Sequence, residues 1–158
     1  MLVRRARVTD RDALRPILEQ WVRGRVSGRL LRAEVEEILR SVGATETWHA
    51  VAIGGPSVLG VMGLTVPQPD AAHYAQTARP GQVVNAFVDR PYGGRGVGSS
   101  LAGYVEDRAI ATGLTELLVR SGPRYEQSGW GFWSARYGAP VAIEHADRGN
   151  TAVWRRVL

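Results

Sequence analysis

The sequence has 158 residues, 44% hydrophobic and 22% charged, which suits one globular domain able to bury its core without disulfide or metal staples. It has no cysteine, which excludes a disulfide framework, a thiol nucleophile and a thiolate metal site. The net charge of +5 comes entirely from arginine on the basic side, and these arginines are scattered with no run and no interleaved aromatic platform, so they read as solvated surface and not as a nucleic-acid footprint.

Residues 2–8 alternate apolar with arginine and predict a half-buried strand. Thr9 and Asp12 have the spacing of a capping box, and Leu14, Ile17, Leu18, Trp21 and Val22 follow at helical spacing, with Pro16 expected in the first turn. Glycines at 24–28 break that helix. Val35, Ile38, Leu39 and Val42 mark a second one, ended by Gly43. Residues 47–53 and 58–66 predict a hairpin about the turn 54–57. Residues 67–81 read as a long polar loop with three prolines, of the kind that is often functional. Residues 83–88 form an apolar strand interrupted by Asn85. A glycine-rich turn at 93–98 opens a helix over 99–112, which Gly113 ends. A strand at 115–119, a helix at 125–137 and two short strands at 141–144 and 152–157 complete the chain. The order β-α-α-β-β-β-α-β-α-β-β, with no linker or repeat, predicts one α/β domain over 1–158 with a mixed sheet. No stretch approaches eighteen apolar residues and the first residues lack a signal-peptide core, so the expectation is a cytoplasmic protein with no membrane partner.

The informative segment is Val88-Asp89-Arg90-Pro91-Tyr92-Gly93-Gly94-Arg95-Gly96-Val97-Gly98-Ser99-Ser100-Leu101. A buried strand enters it and a helix leaves it. Glycines let backbone N–H groups converge on one point, and the helix start adds the positive end of its dipole. Such a turn suits a phosphate or pyrophosphate, with Arg95 and Arg90 able to add charge. A Walker loop requires a lysine, which this chain lacks. A dinucleotide fingerprint requires a third glycine where Leu101 stands, and it belongs at the first strand–helix turn. Three dispersed histidines give no metal-ligand spacing, so no metal is expected, and there is no Gly-x-Ser-x-Gly elbow.

With Gly93-Gly94-Arg95-Gly96-Val97-Gly98 in that context, the chain resembles the GNAT superfamily of acetyl-CoA-dependent N-acetyltransferases, whose loop runs Gln/Arg-x-x-Gly-x-Gly/Ala. The element order matches along the whole chain, although Gly93 stands where the family usually has Gln or Arg. The resemblance implies an α+β fold with a mixed, mostly antiparallel sheet of about seven strands, four flanking helices, and strands four and five splayed apart. It implies acetyl-CoA as co-substrate. Phe87, Val88 and Asp89 would offer backbone groups to the pantetheine arm, and Gly94, Arg95, Gly96, Val97, Gly98, Ser99 and Ser100 would hold the pyrophosphate. Gln127 stands for a family asparagine. Acetyl would pass to a primary amine of a small molecule or peptide by direct attack, and a homodimer is left open. The family's glutamate base falls near Gln82, and its tyrosine acid falls on Trp133 or Ser134. Gln82 and Asn85 would therefore hold a water, and Ser134 is the remaining candidate acid. A catalytically weak acyl-CoA sensor is the competing reading. Tyr125, Tyr137 and the five tryptophans read as packing. His49, His73 and His145 read as solvated surface.

Overall fold

The structure is a computed structural model and describes residues 1–22 and 28–158. Its strands are β1 (Leu2–Arg5), β2 (Thr47–Gly54), β3 (Ser57–Thr65), β4 (Pro80–Val88), β5 (Glu116–Ser121), β6 (Ala142–Glu144) and β7 (Thr151–Val157). Its helices are α1 (Arg11–Trp21), α2 (Gly28–Ser41), the single turn α3 (Pro69–Ala72), α4 (Val97–Ala111) and α5 (Gly129–Tyr137). The strands form one mixed, mostly antiparallel sheet of seven, as expected; their order is β1-β2-β3-β4-β5-β7-β6, and β4 and β5 are parallel. A parallel pair needs a long crossover, and α4 supplies it. No helix among the described residues is long and apolar enough to cross a membrane.

The chain divides into two compact units. The first comprises Met1–Thr65 and Asn85–Arg108; the second comprises Val66–Val84 and Ala109–Leu158. The boundary cuts β4 between Val84 and Asn85.

In the first unit, β1, β2 and β3 form an antiparallel meander, with Leu2 opposite Ile53 and Thr47 opposite Thr65. Leu14, Ile17 and Leu18 give α1 the apolar stripe that packs on β3 and α2, where Val35 and Leu39 answer it. On α4, Tyr104 stacks on Trp48 of β2 at 5.7 Å. Side chains alternate along a strand, so His49 projects from the opposite face. Gly60 on β3 lies so close to β4 that a Cβ there would fall 2.7 Å from the Phe87 carbonyl.

In the second unit, β5 is buried along its length between the first half of β4 and β7. Both faces are covered, which explains the unbroken run Leu117-Leu118-Val119. Helix α5 packs on β7 and meets the fully buried Trp154. The residues read as a loop, 67–81, are instead an ordered strap. Gln68 N–H donates to Gln82 Oε1 at 2.7 Å, and Gln76 N–H donates to both oxygens of the fully buried Glu116, at 3.0 and 3.2 Å. Tyr74 O–H donates to Glu144 at 2.9 Å, while Arg120 joins Glu144 and Asp70. Arg120 holds the Glu144 carboxyl below its usual range.

Several boundaries move for local reasons. Strand β1 stops at Arg5 because the chain turns at Arg7, whose N–H donates to the Asp10 carboxylate at 2.7 Å. Asp10, and not the expected Thr9–Asp12 pair, thus caps this end. The Arg4 guanidinium grips both Asp10 oxygens at 2.8 Å. Pro16 lies in the second turn of α1, so the Asp12 carbonyl loses its usual helical donor. The expected break at 24–28 falls almost wholly outside the described residues. Strand β4 begins earlier than expected, at Pro80. Helix α4 begins at Val97 because Ser100 N–H already donates to the Gly96 carbonyl. Helix α5 begins only at Gly129: residues Pro123–Tyr125 form a separate 3-10 turn, and Ser128 has a non-helical backbone.

Asp10 is buried, and its carboxyl is held below the usual range chiefly by the Arg4 hydrogen bond. The stability it contributes is therefore complete above the unfolded carboxylate value and is lost as pH falls through the lower folded value. Asp10→Asn is expected to lower unfolding stability at pH 7 by about 1.5–3 kcal/mol. In urea titrations, the gap from wild type should close as pH falls below about 4.

Candidate active site

The turn from β4 into α4 is built by backbone conformation. Residues Arg90–Tyr92 make one 3-10 turn, in which Tyr92 N–H donates to the Asp89 carbonyl and Gly93 N–H to the Arg90 carbonyl. Gly94 and Gly96 then take φ values of 70° and 82°, which L side chains rarely adopt. A Cβ built on either meets nothing within 4 Å, so the loop's surface is open at both. The N–H groups of Val97, Gly98 and Ser99 precede the Ser100–Gly96 bond that starts the helical ladder. An anion approaching here meets glycine backbone, helix-start N–H groups and the positive end of the α4 dipole. Arg95 is exposed, with its guanidinium 5.8 Å over the Tyr92 ring.

The end of α1 fixes where this loop begins. Gln20 Nε2 donates to Asp89 Oδ1 at 2.8 Å, and its Oε1 accepts Arg90 N–H at 3.0 Å. Trp21 Nε1 donates to the Val88 carbonyl at 2.7 Å. The Arg90 guanidinium lies 4.8 Å from the Trp21 ring and donates to the Gln20 carbonyl, so it is part of this clamp. Asp89 N–H donates to Leu59 of β3 at 2.8 Å. Of the backbone groups expected to meet a pantetheine arm, the Asp89 N–H is thus held by β3 and the Val88 carbonyl already accepts an indole. Phe87 is buried.

Upstream, β4 changes character. The ladder with β5 runs from Pro80–Glu116 to Val83–Val119 and stops, although β4 continues to Val88. Asn85 follows with φ 51°, the one positive value among described non-glycine residues. Its Nδ2 lies 3.0 Å from His49 Nε2. His49 is 2% exposed, contrary to the expectation of a solvated histidine. Burial pushes its pKa down to about 4, against a smaller opposing effect of the Thr47 backbone, which makes no hydrogen bond of good geometry with Nδ1. The ring is neutral above that pH, and because the Asn85 amide nitrogen faces Nε2, the arrangement is that of an imidazole accepting at Nε2 with its proton on Nδ1.

This fold recurs in solved proteins. An aminoglycoside 6′-acetyltransferase type Ii superposes with a TM-score of 0.75 at 13% identity, over 99% of this chain and 97% of that one. A GCN5-related N-acetyltransferase from Kribbella flavida gives 0.74 at 18% identity, over 99% and 97%. The PaiA N-acetyltransferase from Thermoplasma acidophilum, solved in complex with coenzyme A, gives 0.71 at 13%, over 99% and 98%. The chain has the GNAT fold. No family model and no curated protein matches the sequence, and at these identities the likeness is one of fold.

Within the GNAT fold, the cofactor-loop candidates Phe87, Val88, Asp89, Gly94, Arg95, Gly96, Val97, Gly98, Ser99 and Ser100 all belong to the first unit, as does Asn85. Gln82, Gln127 and Ser134 belong to the second. Gln127 is exposed ahead of α5. Gln82 is buried with its Oε1 committed to Gln68 N–H. Ser134 is half-buried, and its Oγ accepts Trp154 Nε1–H at 3.3 Å, which leaves the hydroxyl hydrogen to donate. Trp133 is buried between Phe132 and Tyr137, at 4.8 and 5.4 Å between ring centroids. Gln20, Trp21 and His49 are the residues that sequence reading passed over. His49 left one signal: a histidine in the middle of an apolar strand, on the face opposite Trp48.

If Gln20 sets the entry of the loop, Gln20→Ala should release two bonds at once. It is expected to speed amide exchange at Asp89–Arg90 by about tenfold while leaving β1 to β3 protected. Hydrogen-exchange mass spectrometry with peptide resolution measures this.

Proposed function

We propose that the chain, 1–158 as one GNAT domain, transfers an acetyl group from acetyl-CoA to a primary amine of a small molecule or peptide, by direct attack in a ternary complex. The observation that carries the reading is the β4–α4 turn: two left-handed glycines open to solvent at the start of a helix. The fold it shares with solved acetyltransferases, one of them bound to coenzyme A, supports it. On this reading, Gly94 to Ser100 hold the pyrophosphate through backbone N–H groups, with Arg95 adding charge.

In the reaction, a neutral amine nitrogen attacks the thioester carbonyl. The C–N bond forms, the C–S bond breaks, the new ammonium loses a proton and the thiolate gains one. No carboxylate or tyrosine occupies the aligned positions, so on this reading the ammonium proton leaves through ordered water. The Ser134 hydroxyl hydrogen is the available donor toward the leaving sulfur. The same lack of a free titrating group favours the second reading, an acyl-CoA sensor without turnover. Steady thiol release with an amine panel separates the two: turnover supports the enzyme, and tight binding with no turnover supports the sensor.

Gly96→Val puts methyls into the open face and forces a β-branched residue to a positive φ. Calorimetric affinity for acetyl-CoA should fall at least about tenfold, and Arg95→Ala should weaken it less, by a margin that shrinks as salt rises. Unchanged affinity in Gly96→Val removes the assignment.

Turnover should rise with pH toward the pKa of the amine, with no inflection from His49, which stays neutral above about 4. Ser134→Ala should lower kcat by less than the roughly 10²–10⁴-fold due to a general acid. A pH–rate profile of both proteins tests this, and a full-sized loss assigns Ser134 as the acid.

A further inference from the structure

The pair His49–Asn85 has no place in the chemistry above, yet the fold builds it with care. Asn85 keeps a left-handed backbone where glycine would be free of strain, which makes its side chain the feature retained there. His49 is sunk among apolar neighbours of β2, where a histidine is expensive to bury, and Asn85 supplies the one hydrogen bond its ring makes among the described residues. Register places Gly63 opposite His49 on β3. With no side chain on Gly63, the imidazole reaches across β3 toward β4, and Nε2 comes to 3.0 Å from Asn85 Nδ2.

The contact decides which way the carboxamide points. A neutral imidazole that accepts at Nε2 requires the NH₂ group of Asn85 on its side and forces Oδ1 to the other. A free asparagine amide can turn over; this one is held. Oδ1 has no partner among the described residues, and Asn85 is only half-buried. The result is a fixed hydrogen-bond acceptor in the middle of β4, one residue beyond the point where the chain passes between its two units and two beyond the end of the β5 ladder.

We infer that Asn85 Oδ1 accepts an N–H of the incoming primary amine, and that His49 is a positioning residue which fixes the orientation of that amide. The inference rests on the acetyl-transfer reading and deepens it. A carbonyl-type acceptor orients a neutral amine by one N–H and leaves the nitrogen lone pair for attack. It favours acceptors with at least one N–H to give and does not select for a permanent cation.

The test uses the intact chain with acetyl-CoA and, as probes, butylamine, spermidine and kanamycin, following the amine that wild type turns over best. His49→Leu removes the acceptor at Nε2 and frees the amide. KM for the amine should rise roughly tenfold, the size of one lost neutral hydrogen bond, with kcat changed less than about twofold and acetyl-CoA affinity unchanged by calorimetry. His49→Gln, whose Oε1 can still accept, should restore most of the loss. Asn85→Gly relieves the backbone and deletes the amide, so it should raise KM to the same extent, and combining it with His49→Leu should add nothing further.

An unchanged KM in His49→Leu, or additive losses in the double variant, overturns the inference while leaving acetyl transfer intact. Equal falls in kcat and melting temperature for both His49 variants assign His49 to packing alone and also overturn it. Wild type that binds acetyl-CoA but releases no thiol with any probe overturns the acetyl-transfer reading, and this inference with it.

Discussion

One residue's backbone organises the centre of the molecule. Asn85 takes a left-handed conformation in the middle of an otherwise apolar strand, two residues past the point where the ladder with β5 stops. Its first half pairs with β5, and its second half lies against β3, where Asp89 N–H meets Leu59 and the Phe87 carbonyl crowds Gly60. The division of the chain into two units falls at the same peptide. A bulge-like interruption bends a strand and re-aims its side chains. Beyond it, Gln20 and Trp21 at the end of α1 hold Val88, Asp89 and Arg90, where the glycine turn begins.

The loop beyond is held at its entry and left open at its tip. Gln20 and Trp21 together engage three consecutive residues, from the Val88 carbonyl to the Arg90 N–H. Gly94 and Gly96 have no neighbours at all in the direction a side chain would take. Rigid support at the base with free backbone at the tip is the arrangement in which N–H groups can face a ligand without rearranging.

The fold was largely legible because its signals are local and redundant. Helical spacing marks α1 and α2, a glycine-bounded hairpin marks β2 and β3, and an unbroken apolar run marks the doubly covered β5. Positions that depend on distant residues were not legible. The strap at 67–81 reads as a loop because its order comes from the side chains of Gln82, Glu116 and Glu144, up to seventy residues away, as between Tyr74 and Glu144. His49 reads as surface because nothing near it in sequence reveals that Gly63 clears its path to Asn85. Gln82 was legible as an amide where a carboxylate is expected, but its bond to Gln68 belongs to the strap. For the glycine turn the legible part was conformational, two glycines at positive φ, while the contact of Arg90 with Trp21 was not legible because the two lie sixty-nine residues apart.

The basic side chains near the turn have a further consequence through their chemistry. Every one of them in this chain is a guanidinium, including Arg95 above Tyr92 and Arg90 above Trp21. A lysine beside a bound thioester would carry a competing nucleophile, since a small fraction of its ε-amine is always neutral. A guanidinium stays protonated and does not attack. The turn therefore keeps its positive charge throughout the range in which a lysine would begin to lose its own, and the chain carries no lysine amine that an acyl donor could modify.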